Sequence, residues 1–394
     1  MTKRISIFGA TGSIGQNALN LLRHAGPAAF RVVALTGAQN VAQLARDAIE
    51  FGAEIAVTAD AARYDDLKQL LSGSGVQAAA GTDALVDAAT RPTDIMVSAI
   101  VGAAGLRPGL AALPHTSRVA LANKETLVCA GPLFMAELTR TGAQALPVDS
   151  EHSAIFQALM GEDISQVETV VITASGGAFR DLPMHALQTV TPEQAATHPN
   201  WNMGQRITID SASMFNKAME LIEAKEFFGF APDQLRAVIH PQSLVHALVG
   251  FCDGAFMAHV GPPDMRHAIG FALNYPNRAD LPVARLNWDA AMTFNFEPAC
   301  DTRYPALRLA GAVMEQGGLW GAAFNAAKEV ALDRFIAHDI PFLGMAPLVE
   351  QVLDKLDGQN ALSMAADTLD AVLQVDELAR VIAAQIKLAQ IKLG

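Results

Sequence analysis

The chain has 394 residues, 51% of them hydrophobic and 17% charged, with a formal net charge of −12. That length exceeds what one hydrophobic core usually organises, so two or three domains are expected. The acidic balance excludes a general nucleic-acid binder, which needs cationic surface to displace counterions.

Three cysteines, Cys129, Cys252 and Cys300, have neither paired nor metal-like spacing. They exclude a disulfide framework and point to a reducing compartment. No uncharged apolar run reaches membrane-spanning length. The opening MTKRISIFGATGSIG reads as strand and glycine turn, not as a signal or transit segment. A soluble cytoplasmic protein, with no nucleic-acid or membrane partner, is expected.

In chain order, RISIF reads as a strand, Ser13 to Arg23 as a helix, FRVVALT as a strand and Val41 to Phe51 as a helix. EIAVT, GVQAAA, DIMVSAI, SRVALA and AQALPV continue the strands. Near-continuous apolar strands separated by helices predict a parallel sheet covered on both faces. From Asp149 the texture changes. VETVVITAS, AVIHPQSLVHALVGF and GAFMAHVG predict a second, mixed sheet, with a polar loop ATHPNWNMGQRIT and then a helix from about Ser213. A proline-bearing stretch to Tyr304 has little periodicity and reads as a connector. Helical spacing then recurs at Leu307, Ala310 and Met314, at Phe324, Ala327, Ala331 and Phe335, and at Leu348, Val352 and Leu356. The expected fold is α/β, with a Rossmann-like domain (1–148), a central α+β catalytic domain (149–277), a connector (278–304) and a helical bundle domain (305–394).

IFGATGSIG lies between the first strand and the first helix, with Gly9, Gly12 and Gly15 three apart. Glycines at such a turn let the backbone approach a pyrophosphate, while the helix N-terminus supplies N–H groups. The alternative is a glycine-rich turn with no ligand. The end of the second strand reads ALTGAQN, with no acid between Arg31 and Asp47. An acid there would repel a 2′-phosphate, so NADP is favoured over NAD, with Gln39 and Asn40 as uncharged hydrogen-bonding groups.

LPVDSEHSAIFQ places Asp149 and Glu151 at a strand-to-helix junction. Two carboxylates this close need a positive partner, which solvent, a salt bridge or a metal ion could provide; Asp149 or Ser150 could equally cap the helix. Further on, DSASMFNKAMELIEA sets Asn216, Lys217 and Glu220 on one helix side at i, i+3 and i+4, near Ser211. Lys, Asn and Ser suit a phosphate, although a solvated helix face explains the pattern as well. If Glu220 joined Asp149 and Glu151, the all-oxygen donor set would favour Mg²⁺ or Mn²⁺. Asn123, Lys124 and Glu125 follow an apolar strand, where an exposed turn is the bland reading. His198, Trp201 and Met203 sit in a loop that either closes over a substrate or anchors in the core.

Taken together and in order, GATGSIG, ALANKETLV, PVDSEH, ASGGAFR, HPNWNMG, DSASMFNKAMELIEA, HPQSLVHALV and GPPDMRHAIGFALNYPNR resemble the 1-deoxy-D-xylulose 5-phosphate reductoisomerase family. The resemblance covers about Ile5 to Arg278, and the helical end fits more loosely. It implies an NADPH- and divalent-metal-dependent enzyme of the non-mevalonate isoprenoid route, acting on a phosphorylated sugar as a homodimer. Asp149, Glu151 and Glu220 would hold Mg²⁺ or Mn²⁺, with Co²⁺ also suited. Lys124 and Ser150 would contact the hydroxyl end of the substrate. His198 would line its pocket, and Ser175, Ser211, Asn216 and Lys217 would surround its phosphate. Thr11, Gly12, Ser13, Ile14, Ala38, Gln39, Asn40, Asn123, Glu125 and Gly204 would line the NADPH site, and Trp201 and Met203 would form a closing flap. The chain departs from the family at Ala38 and Gln39, where a glycine and a basic residue are usual.

Two other readings compete. A different NADP-dependent enzyme, such as a semialdehyde dehydrogenase, would need an activated cysteine, and none of the three has an obvious partner base. A catalytically silent nucleotide-sensing protein would not need the carboxylates or Lys124.

Overall fold

Apolar strands and one-sided apolar helices alternate through the first part of the chain, and each folds as its pattern requires. The computed structural model describes residues 2–198, 200–201, 204–362 and 365–391. It runs β1 (Lys3–Phe8), α1 (Ser13–Ala25), β2 (Phe30–Gly37), α2 (Val41–Glu50), β3 (Ile55–Thr58), α3 (Tyr64–Leu70), β4 (Gln77–Ala80), α4 (Thr82–Ala89), β5 (Thr93–Ser98), α5 (Leu106–Ala112), β6 (Thr116–Leu121), α6 (Glu125–Thr141), β7 (Gln144–Pro147) and α7 (Ser150–Ala158). There follow β8 (Val167–Ala174), α8 (Pro192–Ala195), α9 (Gln205–Ala212), α10 (Phe215–Phe228), β9 (Leu235–Ile239), β10 (Val245–Phe251), β11 (Phe256–Val260), α11 (Arg266–Asn274) and β12 (Glu297–Pro298). Four helices close the chain: α12 (Pro305–Gln316), α13 (Trp320–Ile336), α14 (Met345–Gly358) and α15 (Leu369–Gln385). No described helix is long and apolar enough to cross a membrane.

The chain divides into two units, one of Met1–Thr126, Phe134–Ser153 and Asp264–Ala284, the other of Leu127–Leu133, Ala154–Pro263 and Arg285–Gly394. In the first, seven strands lie in the order β4-β3-β2-β1-β5-β6-β7, all parallel. Ile5, Ile7, Phe8, Val33, Leu35 and Val97 are fully buried in its core. The order reverses on either side of β1, so the turn after β1 opens at the switch point where such sheets bind ligands. Two glycines there are sterically required. A Cβ on Gly9, at φ +91°, would lie 2.3 Å from the Ala99 carbonyl oxygen, and one on Gly15 would lie 2.3 Å from that of Gly9. Late in the chain, α11 returns to this unit and packs on α1. Lys3 Nζ donates to the Leu273 carbonyl at 2.8 Å, and Arg118 Nη1 to that of Tyr275 at 2.7 Å.

The second unit holds a five-stranded sheet, β11-β10-β8-β9-β12. It is mixed, as the strand texture predicts: β8 and β9 are parallel and the other pairs antiparallel. The predicted helical spacings fall on α12, α13 and α14, and α15 packs against α13. Two segments differ from expectation. Residues 205–208, read as loop, open α9, because the Gly204 carbonyl accepts from the Thr208 N–H at 3.1 Å and hydroxyl at 2.9 Å. The chain then breaks at Met214, φ +63°, before α10 begins. The stretch read as a connector contributes β12, which pairs with β9.

A neutral histidine fastens that stretch. Fully buried His240 accepts at Nε2 from the Leu244 and Val245 N–H groups at 3.2 and 3.1 Å. Its Nδ1–H therefore donates to the Asn295 carbonyl at 2.8 Å, and Phe296 stacks on the ring at 4.8 Å. Burial lowers the imidazole pKa, partly offset by the bond to Asn295. A histidine that folds neutral stabilises fully above its unfolded pKa of about 6.5 and loses that stabilisation as pH falls below it. Between pH 7.5 and 5.5 the wild type should therefore lose more stability in urea than His240→Gln. Parallel pH slopes would show that the ring stays neutral for other reasons.

Candidate active site

At the switch point, Gly12 precedes α1 with no side-chain cap. The first N–H groups of α1 therefore stay available to an anion, and Gly12 and Ser13 are exposed. The Ala10 N–H donates to the Thr36 carbonyl at 2.7 Å and the Gly9 N–H to the Thr36 hydroxyl at 3.0 Å, which locks the turn to β2. Beyond β2, Ala38, Gln39 and Asn40 are exposed. Asn40 Oδ1 caps α2 by accepting from the Gln43 N–H at 3.1 Å. Gln39 Nε2 donates to Asp60 Oδ2 at 2.9 Å. Thus an acid does stand beside this loop, supplied by the end of β3, where reading along β2 alone could not find it. Thr58 Oγ1 also donates to the Ala38 carbonyl, at 2.7 Å.

Asn123 is 2% exposed and serves as a four-way tie. Its amide donates to the carbonyls of Ile100 and of Gly102, the latter at 3.0 Å, and its Oδ1 accepts from the Thr126 N–H and hydroxyl at 2.9 and 2.5 Å. It shapes the loop after β5, and Glu125 opens α6 beside it.

After β7, Lys124 Nζ lies 2.5 Å from Asp149 Oδ2, with both side chains largely buried. Ser150 Oγ donates to Glu151 Oε2 at 2.5 Å, and the Ser150 N–H to Asp149 Oδ1 at 3.0 Å. Asp149 and Glu151 offer oxygens within 4.8 Å of each other, and Asp149 and His152 likewise offer ligand atoms within that distance. Lys124 is thus a positive partner of Asp149 within the first unit. Oxygen donors converging this closely, without thiolates, suit a hard divalent cation.

In the second unit, Ser175 follows β8 and heads a turn through Gly176 and Gly177, both at positive φ. The Gly177 N–H donates to Ser175 Oγ at 3.1 Å. A Cβ on Gly177 would lie 2.5 Å from Ala212 Cα and 2.8 Å from the Ser211 carbonyl oxygen. The turn is thus seated on the end of α9, which brings Ser175 and Ser211 to one place. His198 Nδ1 accepts from the Asn200 and Trp201 N–H groups at 3.1 and 2.8 Å, so Nε2–H donates to Ser175 Oγ at 2.8 Å. Burial lowers the His198 pKa and keeps the ring neutral. Asn200, which residue-type reasoning passed over, donates to the Pro241 carbonyl at 2.6 Å and Ser243 Oγ at 2.8 Å. Trp201 is half-buried with its ring edge toward His246, 6.2 Å between centroids. Met203 lies outside the described residues.

On α10, Asn216 Nδ2 and Lys217 Nζ donate to the two oxygens of Glu220. Lys217 is 3% and Glu220 1% exposed, so the solvated-face reading fails. Every residue from Lys217 to Ala224 is buried, which is why the polar trio cannot be an outer face.

A doubly wound sheet with an uncapped helix N-terminus at its switch point places the first unit in the dinucleotide-binding class. Comparison with known proteins goes further. Family models for 1-deoxy-D-xylulose 5-phosphate reductoisomerase match residues 5–131, and models for its C-terminal domains match 145–228 and 260–382. A reductoisomerase of that name from Jannaschia sp. (strain CCS1) is 61% identical over 381 residues, 97% of each chain. One from Ruegeria pomeroyi is 62% identical over 378 residues, 96% of this chain and 95% of that one. The Zymomonas mobilis enzyme solved with NADPH superimposes with a TM-score of 0.90 at 41% identity, covering 97% of this chain and 98% of that one. The chain belongs to the 1-deoxy-D-xylulose 5-phosphate reductoisomerase family.

Proposed function

We propose that the chain converts 1-deoxy-D-xylulose 5-phosphate to 2-C-methyl-D-erythritol 4-phosphate, using NADPH and Mg²⁺ or Mn²⁺, in the non-mevalonate isoprenoid route. The observation that carries this reading is 61% identity across 97% of the chain to a relative bearing that name. A related structure at 36% identity, TM-score 0.93, is described with NADPH, fosmidomycin and magnesium, and covers 99% of this chain and 98% of that one. In this reading residues 1–148 bind NADPH, 149–277 carry the metal site and flap, 278–304 connect, and 305–394 form the helical domain. In the same reading the enzyme works in the cytoplasm, because a phosphorylated sugar and NADPH are charged and do not cross a membrane unaided.

Asp149, Glu151 and Glu220 would hold the cation; all are carboxylates, and Asp149 and Glu151 already present converging oxygens. When bound, the cation supplies Lewis acidity to an oxygen-rich substrate and NADPH supplies the hydride. The chain's own groups do the rest. Lys124, held against Asp149, and Ser150, held against Glu151, are poised to orient the hydroxyl end of the sugar. Ser175, Ser211, Asn216 and Lys217 would fix its phosphate, so that binding energy away from the bond changes holds the reacting carbons. Neutral His198 donates a hydrogen bond without adding charge, and it anchors the backbone that carries Trp201. That ring, with Met203, would exclude water from the site. The loop tied down by Asn123, with Thr11 to Ile14, Ala38 to Asn40, Glu125 and Gly204, would line the dinucleotide. NADPH oxidation by the purified protein with 1-deoxy-D-xylulose 5-phosphate, with Mn²⁺ or with excess chelator, tests the whole reading. Metal-dependent oxidation supports it; intact NADPH binding without oxidation would revive the sensor reading.

The homodimer belongs to the same reading. In β11, an edge strand of its sheet, Phe256 and Met257 are 55% and 44% exposed, and such edges invite pairing with a second copy. Sedimentation should give twice the chain mass, and Phe256→Lys should shift it toward the monomer; a monomeric wild type would end this part of the proposal.

Cofactor preference is the third testable point. Gln39→Arg should tighten NADPH relative to NADH roughly tenfold by adding a charge-assisted bond to the 2′-phosphate. Asp60 is placed to capture the new guanidinium, so Gln39→Arg with Asp60→Asn should exceed the single variant. An unchanged NADPH/NADH ratio in both would mean that the 2′-phosphate is held elsewhere.

A further inference from the structure

Behind the end of α9 lies a polar cluster that the mechanism above does not use. Lys328, on α13, is 5% exposed and Asp210, on α9, is 7% exposed. Lys328 Nζ donates to Asp210 Oδ2 at 3.0 Å. Asp210 Oδ1 is buried without a hydrogen-bond partner among the described residues. One turn before Lys328 on the same face of α13, Asn325 is fully buried, and neither atom of its amide has a partner there.

Such a cluster is an expensive way to pack two helices. A buried amide left without partners costs about 1–3 kcal/mol. Replacing a buried ion pair with apolar side chains of similar size is often neutral or stabilising. Stability alone therefore does not account for Lys328, Asp210 and Asn325 at this interface. Their position does. Asp210 precedes Ser211, whose carbonyl lies beneath Gly177, and the Gly177 N–H holds Ser175 Oγ. Phe324, next to Asn325, packs on Phe215 with centroids 5.8 Å apart, directly before Asn216 and Lys217. The α13 stretch from Phe324 to Lys328 thus backs the two helix ends that bear Ser211, Asn216 and Lys217.

We propose that Lys328 is a positioning residue for the substrate's phosphate: through Asp210 it fixes the end of α9 and so the Ser211 hydroxyl. The inference rests on the assignment of Ser211 to the phosphate, which Ser211→Ala tests separately. The buried pair tolerates little sliding, because moving α9 would separate two charges in a dry interface. An apolar pair there would permit the fold but not the register.

The test replaces both partners, Asp210→Leu with Lys328→Met, in the full-length protein. The expected melting temperature is equal to or above that of the wild type. The KM for 1-deoxy-D-xylulose 5-phosphate should rise about tenfold, with kcat within about twofold, an ordinary cost for a misplaced hydrogen bond to a charged group. Inhibition by inorganic phosphate should weaken in parallel, while the NADPH dissociation constant stays unchanged. The single variant Lys328→Arg, which keeps the ion pair with Asp210, should instead hold KM near the wild-type value. A melting temperature that falls while KM and phosphate inhibition stay fixed would make the pair merely structural and overturn the proposal. If the single variant Ser211→Ala also leaves KM unchanged, the phosphate assignment itself fails. If Ser211→Ala raises KM and the double variant does not, only the role of Lys328 fails.

Discussion

Glu220→Gln is expected to lower kcat at least about 10³-fold, the scale of removing a central electrostatic stabiliser, while NADPH binds within twofold of the wild-type affinity. The glutamine keeps the shape of the side chain and one oxygen for the Asn216 amide, but it removes the charge that a divalent cation needs. Fully buried Glu220 also neutralises Lys217. Breaking that pair from one side should cost about 3–5 kcal/mol, because it removes a counter-charge from a buried ammonium. Mn²⁺ binding, followed by the electron paramagnetic resonance of the free ion, should therefore be measured on protein shown to be folded. The double variant with Lys217→Met supplies the control: it should recover stability and still fail to bind Mn²⁺ normally. If Mn²⁺ binds normally to Glu220→Gln, the residue is no ligand. If NADPH affinity falls as far as kcat, the residue holds the fold together and is not specific to the chemistry.

The same residues show how far sequence reasoning reaches. The glycine turn was legible as a spacing between strand and helix; the need for Gly15 is local, since a Cβ there meets the Gly9 carbonyl oxygen at 2.3 Å, whereas Gly9 is required by the distant Ala99 carbonyl, also at 2.3 Å. The parallel sheet was legible from its apolar strands, and the carboxylates from their density in an apolar run. Spacing put Asn216, Lys217 and Glu220 on one side of α10 but left open whether that side met water. Burial decides it, and burial comes from packing distant segments around the helix, which a 3.6-residue period does not encode. The opening of α9 was missed for a related reason. Gln205, Arg206 and Thr208 are polar, and the cap that starts the helix is the Gly204 carbonyl, not a side chain. Asp60 and Lys328 are 21 and 118 residues away from their partners Gln39 and Asp210. Each became visible only when the fold brought the ends of two strands, or two helices, together.

Lys217→Ala should raise the KM for the phosphorylated substrate about 10- to 100-fold, since a charge-assisted bond to phosphate is worth roughly 1.5–3 kcal/mol. The structure adds a second, less obvious expectation. Both oxygens of Glu220 accept from Asn216 and Lys217, the groups assigned to phosphate. A cation arriving at Glu220 must displace or repel the ammonium, and a phosphate arriving at Lys217 must draw it from the carboxylate. Each ligand thereby does part of the other's work, and linkage makes that help reciprocal. Removing the ammonium should therefore tighten Mn²⁺ while weakening the substrate. A structural lysine would move both affinities the same way, and a lysine far from the phosphate would leave KM unchanged. Opposite movement of the two constants is the result that only competition for Glu220 produces.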